Sequence, residues 1–296
     1  MAFTKAVLPS NLILDPLLHH WLLEDMGRGD RTTDGLLSGD DIYSLPHTSA
    51  YWVVKEAGVV AGLAIAHRVF TLLDDQVQIN PQVTDGEWCE PGTIILRING
   101  SLRALLTGER VALNLVMGLS GIATATRHYV DAIADLPTRL VDTRKTTPGL
   151  RILEKYASQV GGAVNHRMGL DDAVMLKDNH IVAAGGIGKA MARVRHAVPY
   201  PLTIEVETET MTQVIEAVEQ GADIIMLDNM PIQEMVKAVQ YIRQHRPRVP
   251  IEASGNITLT TIRSVAETGV DYISTSAPIT RSSWLDISMR LMNPSL

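Results

Sequence analysis

In the second half of the chain, apolar residues fall in short blocks, each closed by a polar cluster. The blocks are "TRLVDT" (138–143), "DAVMLKD" (172–178), "PLTIEVE" (201–207), "ADIIMLDN" (222–229), "VPIEASG" (249–255) and "VDYISTS" (270–276). Between them lie stretches of helical period at 149–160, 186–198, 210–220, 231–245 and 259–268. Strands alternating with helices at this spacing predict βαβ units and a parallel sheet. "GGIG" at 185–188 lacks the spacing of a dinucleotide fingerprint, which favours a barrel over a doubly wound sheet.

The first half, residues 1 to about 116, has a different pattern. A helical stretch at Leu14–Asp25 leads into the turn-rich "EDMGRGDRTT", then strand-like pieces at "SAYWVVKEAGVVAGL", "QVQINPQV" and "GTIILRING". Alternating apolar positions bounded by Gly, Pro, Asn and Asp predict a small mixed α/β domain. Helical period from Leu105 to Ala134 bridges the halves.

The six blocks end on functional chemistry. Arg144 and Lys145 follow the first, and Lys177, Asp178 and Asn179 the second. Glu205 and Glu207 lie in the third, Asp228 and Asn229 end the fourth, and Ser254, Gly255 and Asn256 follow Glu252 in the fifth. Ser274, Thr275 and Ser276 end the sixth. In a parallel barrel these ends meet on one face, where barrels place their active sites. Arg144, Lys145, Lys177 and Arg167 form a cationic wall for carboxylates or phosphates. Glu207 and Asp228 form an acidic wall suited to Mg²⁺ or sugar hydroxyls. Glu205 and Glu207 share one face of their strand, so spacing alone does not separate their roles.

Composition narrows the class. With 296 residues, 46% hydrophobic and 20% charged, the chain has a globular composition. A formal charge of −7 and only 4% aromatics argue against a nucleic-acid partner. The single cysteine, Cys89, permits no intrachain disulfide. "NLILDPLLHHWLL" is broken by Asp15, Pro16 and two histidines, and no run nears the roughly 18 apolar residues of a membrane span. The expectation is a cytoplasmic protein with no membrane partner.

These residues resemble the quinolinate phosphoribosyltransferase family. The resemblance rests on "EDMGRGDRTT", "LLTGERVALNLVMGLSGIAT", "DTRKTTPGLR", "GGAVNHRMGLDDAVMLKDNH", "IEVE", "DIIMLDNM" and "EASGNIT", in that order along nearly the whole chain. It implies an α/β sandwich-like N-terminal domain (1–116) followed by an incomplete α/β barrel (117–296). It also implies the conversion of quinolinate and phosphoribosyl pyrophosphate, with Mg²⁺, to nicotinate mononucleotide, pyrophosphate and CO₂.

Carried over by motif, Arg144, Lys145, His166, Arg167 and Lys177 hold the quinolinate carboxylates, Thr143 also binds substrate, and Lys145, Lys177, Glu207 and Asp228 are catalytic. Glu207 and Asp228 serve the ribose and the metal, directly or through pyrophosphate or water. Ser254, Gly255 and Asn256 cradle the 5′-phosphate, together with Ala277. Arg110 resembles the arginine that enters from a neighbouring subunit, which implies a homodimer or a larger assembly. The chain departs from the family at "SAPIT" (276–280), where relatives often have "GALTH"; Pro278 there has no N–H to donate. The rival readings are nicotinate phosphoribosyltransferase, the paralogue associated with molybdenum transport, and a non-catalytic carboxylate or phosphosugar sensor.

Overall fold

The computed structural model describes residues 6–38 and 47–292. The chain starts with α1 (Asn11–Met26) and α2 (Arg31–Leu36). Leu14, Leu18 and Leu22, one turn apart, form the buried stripe of α1, and the Ser10 hydroxyl accepts the Leu12 N–H at its start. Asp30 caps α2 by accepting both the N–H and the hydroxyl of Thr33. Next come β1 (His47–Val54), β2 (Gly58–Val59), α3 (Leu63–Leu73), β3 (Gln78–Pro81), β4 (Trp88–Cys89) and β5 (Ile94–Ser101), and then the long helix α4 (Leu102–Asp131).

The apolar stretch ending "GVVAGL" reads as strand, yet the chain turns helical at Leu63. The cap for that helix comes from far along the chain. Gly62 sits at φ 102°, and the Asp85 carboxylate accepts the N–H groups of Gly62 and Leu63. A start signal supplied 22 residues away leaves no local trace.

From residue 139 the predicted alternation holds. The elements are β6 (Arg139–Val141), α5 (Arg151–Val160), β7 (Val174–Leu176), α6 (Asp178–Ala184), α7 (Ile187–Ala197), β8 (Ile204–Thr208), α8 (Met211–Glu219) and β9 (Ile224–Asp228). They continue through α9 (Ile232–His245), β10 (Ile251–Ser254), α10 (Ile262–Ala266), β11 (Tyr272–Ser274), α11 (Ala277–Thr280) and β12 (Ile287–Leu291). The six strands β6 to β11 form one parallel sheet in the order β6-β11-β10-β9-β8-β7. The barrel does not close: β6 and β7 are its two edges. Val164 lies against β6 in a single parallel bridge to Val141.

The chain packs as two units. One comprises 126–151 and 162–281; the other comprises 6–38, 47–125, 152–161 and 282–292 among the described residues. The second unit is built around an antiparallel sheet of order β12-β1-β5-β3, so its last strand returns from the C-terminal end. Among the described residues no helix is long and apolar enough to cross a membrane.

Period-2 alternation sorts the parallel sheet into two faces. Leu140, Ile204, Val206, Ile225, Leu227, Ile251, Ala253 and Ile273 pack with Ala190, Val214, Met235, Ala238 and Ile262 of the covering helices. The residues between them point the other way: Met175, Glu205, Glu207, Met226, Asp228, Glu252, Ser254 and Ser274. Barrel interiors are usually filled by branched apolar side chains. Here the inner face is largely acidic and hydroxylic.

Candidate active site

A cavity of about 710 Å³ opens over that inner face. Thr143, Arg144, Lys145, His166, Arg167, Lys177, Glu207, Asp228, Ser254, Gly255, Asn256 and Ala277 all line it. Arg110 does not; it is an exposed residue of α4. Asn229, named above only as a strand-end residue, also lines the cavity, as do Thr258 and Arg281, which spacing did not single out. Arg281 follows α11, where no strand end points to it.

The cationic side is made by two loops. After β6, Thr143 Oγ1 accepts the Lys145 N–H at 3.0 Å, which turns the chain as it leaves the strand. Arg151 is half-buried. Its Nε donates to Thr146 Oγ1 at 3.0 Å and its Nη1 to the Met168 carbonyl at 3.2 Å, tying this turn to the 165–168 loop. Asp142 binds that loop too, accepting from Asn165 Nδ2 at 2.6 Å and the His166 N–H at 2.8 Å. Arg167 donates Nη1 to the Ala173 carbonyl at 2.9 Å. Burial first, and then the like charge of Arg144, lowers its pKa below that of an ordinary arginine. The two guanidinium groups therefore repel, and an anion placed between them relieves both.

Across the cavity, Lys177 Nζ meets Glu207 Oε2 at 2.9 Å. Burial raises the Glu207 pKa; Lys177 opposes that shift, while Asp228 and Asp178 add to it. Glu207 lines the cavity, whereas Glu205 is only 2% exposed, so depth separates two residues that share one face. His180 is a hydrogen-bonding residue: its Nδ1 accepts the Lys177 N–H at 3.1 Å.

The ends of β9 and β10 are locked together. Asn229 and Asn256 sit at φ 52° and 50°, and Gly255 at φ 102°. Asn229 N–H donates to the Ser254 carbonyl at 2.9 Å, and Asn256 Nδ2 to Asn229 Oδ1 at 3.2 Å. A Cβ on Gly255 would lie 2.2 Å from Asn229 Oδ1, so only glycine fits. At the last strand end, Ala277 N–H donates to Thr275 Oγ1 at 3.2 Å.

In the cavity wall, His166 and Glu252 join the buried Glu205 in a trio. His166 Nε2 is 3.2 Å from Glu205 Oε2 and 3.5 Å from Glu252 Oε2. Burial alone would lower the His166 pKa, but the hydrogen bonds and charges of the two glutamates push it up to about 10. Burial and the charge of Glu252 raise Glu205 in turn, against the pull of His166. A second ring proton would have to sit on Nδ1, which instead accepts the Arg167 N–H at 2.8 Å. That bond outweighs the upward shift in deciding the ring's state. We read the ring as protonated at Nε2. The three ligand atoms lie within 4.8 Å of one another, close enough for a metal, but the Nε2 proton already fills that role.

The family signature decides what this arrangement belongs to. The profile of the quinolinate phosphoribosyl transferase N-terminal domain matches residues 30–120, and that of the C-terminal domain matches 122–290. This chain is a member of the quinolinate phosphoribosyltransferase family.

Among curated relatives, the probable nicotinate-nucleotide pyrophosphorylase [carboxylating] of Synechocystis sp. is 58% identical over 286 residues, 96% of this chain and 95% of the relative. Its Bacillus subtilis counterpart is 44% identical over 95% of this chain and 94% of its own. Among solved structures, NadC from Streptococcus pyogenes superposes with a TM-score of 0.90 at 42% identity, covering 97% of this chain and 99% of its own. Within the family frame, the departure at "SAPIT" falls on α11, a helix of four residues with Pro278 in its first turn. The Arg281 side chain that follows it brings a cation to the same end of the cavity.

Proposed function

We propose that this protein transfers the phosphoribosyl group of phosphoribosyl pyrophosphate to quinolinate, with loss of CO₂, giving nicotinate mononucleotide and pyrophosphate for de novo NAD biosynthesis. One observation carries the reading: a single cavity has Arg144, Lys145 and Arg167 on one side and, across it, Lys177 paired with Glu207, beside Asp228 and the Ser254–Asn256 turn. A dicarboxylate fits the first set and a phosphorylated sugar the second.

The chemistry follows from that division. The ring nitrogen of quinolinate attacks the anomeric carbon as the C–O bond to pyrophosphate breaks. Positive charge develops on the sugar, where Glu207 and Asp228 stabilise it, and Lys177 is positioned to neutralise the departing anion. The nitrogen is then quaternary. The adjacent C–C bond to the carboxylate breaks, its electron pair passes to the ring carbon beside the nitrogen, and a proton replaces the CO₂. No organic cofactor is needed, because the pyridinium itself is the electron sink.

Glu207 and Asp228 are the residues that would hold Mg²⁺, which commonly uses one or two carboxylates together with substrate phosphates. When bound, the ion supplies further neutralisation of pyrophosphate charge. The proposal includes a cytoplasmic homodimer in which Arg110 of the partner subunit completes the carboxylate site. The decisive experiment supplies the protein with phosphoribosyl pyrophosphate, Mg²⁺ and either quinolinate or nicotinate. We expect nicotinate mononucleotide and stoichiometric CO₂ from quinolinate, and turnover of nicotinate at least ~100-fold slower, since two lost charge-assisted bonds remove about 3 kcal/mol. Equal turnover of nicotinate, or none of quinolinate, would reject the proposal.

A further inference from the structure

Two carboxylates buried side by side are expensive, and stability alone does not account for them. Glu205 and Glu252 are 2% and 4% exposed, on the face of the sheet where barrels usually carry apolar side chains. Among the described residues, the Oε1 atom of each is buried with no hydrogen-bond partner. Their Oε2 atoms converge on one group, His166 Nε2.

His166 belongs to a loop that lies beside the open edge of the barrel. Apart from the Val164 bridge, residues 163–167 form no regular secondary structure. The loop is nevertheless held at several points. Asp142 takes the His166 N–H, and the imidazole links β8 and β10 to the Arg167 N–H. Arg167 is the next residue, and its guanidinium lines the cavity. With both ring nitrogens engaged by protein groups, His166 acts here as a strut.

We propose that Glu205 and Glu252 are positioning residues for dicarboxylate recognition: through His166 they fix the backbone that presents Arg167 to the cavity. This inference rests on the proposed function, because quinolinate is the ligand whose binding it explains. The phosphoribosyl side of the cavity, built by Glu207, Asp228 and the Ser254–Asn256 turn, does not depend on the strut.

The test replaces each glutamate with leucine and, separately, with glutamine. Glu205→Leu and Glu252→Leu should raise the KM for quinolinate about tenfold or more, the cost of a lost charged hydrogen bond. The KM for phosphoribosyl pyrophosphate should stay within about twofold, and Tm should hold or rise, since apolar replacement of buried charge is often stabilising. Glutamine keeps an acceptor, so it should raise the quinolinate KM by only about threefold. If the leucine variants do not fold, the glutamine variants carry the test by the same split.

A quinolinate KM unchanged in all variants overturns the inference. So does a parallel rise in both KM values with a lowered Tm, which would mark an ordinary structural role. Turnover by the unaltered protein checks the underlying function separately. Should turnover be absent, calorimetric affinity for quinolinate still reads the positioning role, and a protein that does not bind quinolinate overturns both.

Discussion

Glu205 and Glu207 show what residue-scale reasoning reaches and where it stops. Alternation along β8 places both carboxylates on the inner face, but nothing in the spacing says which one meets solvent. Depth decides: Glu207 lines the cavity against Lys177, while Glu205 lies beneath it against His166. The two should therefore fail differently when altered. Glu207→Ala should cut kcat by about 100-fold or more, since an interaction made in the transition state is lost, and should free Lys177 from its ion pair. Single-turnover kinetics check this; a variant with unchanged kcat would remove Glu207 from the chemistry. Arg144, Lys145 and Lys177 were legible because a charge closing an apolar block is visible locally. The His166–Glu205–Glu252 trio was not, because its members come from a loop and two strands separated by β9.

At the scale of elements, the βαβ alternation was readable because each strand and helix carries its own period. Two elements of the other unit were not. Helix α3 takes its cap from Asp85, and β12 is defined by pairing with β1 across more than two hundred residues. Pairing at that separation leaves no local pattern.

The lock between the turns after β9 and β10 gives a sharp test of an element-level role. Gly255→Ala forces a Cβ into Asn229 at φ 102° and should cost about 1–3 kcal/mol. We expect a lower Tm and a KM for phosphoribosyl pyrophosphate raised about tenfold, with the quinolinate KM little changed. An equal rise in both would place the damage elsewhere.

A second clamp joins the segment after α4 to α10. Arg263 donates Nη1 and Nη2 to the two Asp135 oxygens at 2.9 and 2.8 Å. Its hydrogen bonds hold the Asp135 pKa down from 3.8 to about 2. A depressed carboxylate pKa adds stability above the unfolded value of 3.8, and that stability is lost as pH falls through about 2. An NMR titration should find Asp135 near 2 in the unaltered protein and raised toward 3.8 in Arg263→Ala. A value near 3.8 in both would mean that the fork is not formed in solution.

At the scale of the whole molecule, an acidic chain of net charge −7 concentrates cations in one cavity. Arg144 and Arg167 already repel, so one more cation brought to the cavity is tolerable only with the dianion present. That argument bears on Arg110, which is exposed on α4 and belongs to the GER motif but does not line the cavity. If Arg110 of the partner subunit completes the site, two differently disabled chains should repair each other. Arg110→Ala and Lys145→Ala should each be nearly inactive alone. In a mixed dimer, one site combines the intact Lys145 of one chain with the intact Arg110 of the other, and the second site carries both defects. Random reassociation makes half the dimers mixed, so the mixture should recover about a quarter of normal activity. Subunit exchange can be verified independently by mass tagging. Exchange without recovery would show that each chain builds its site alone, and a further cation would then have to come from the same cavity, where Arg281 is the remaining arginine among the described lining residues.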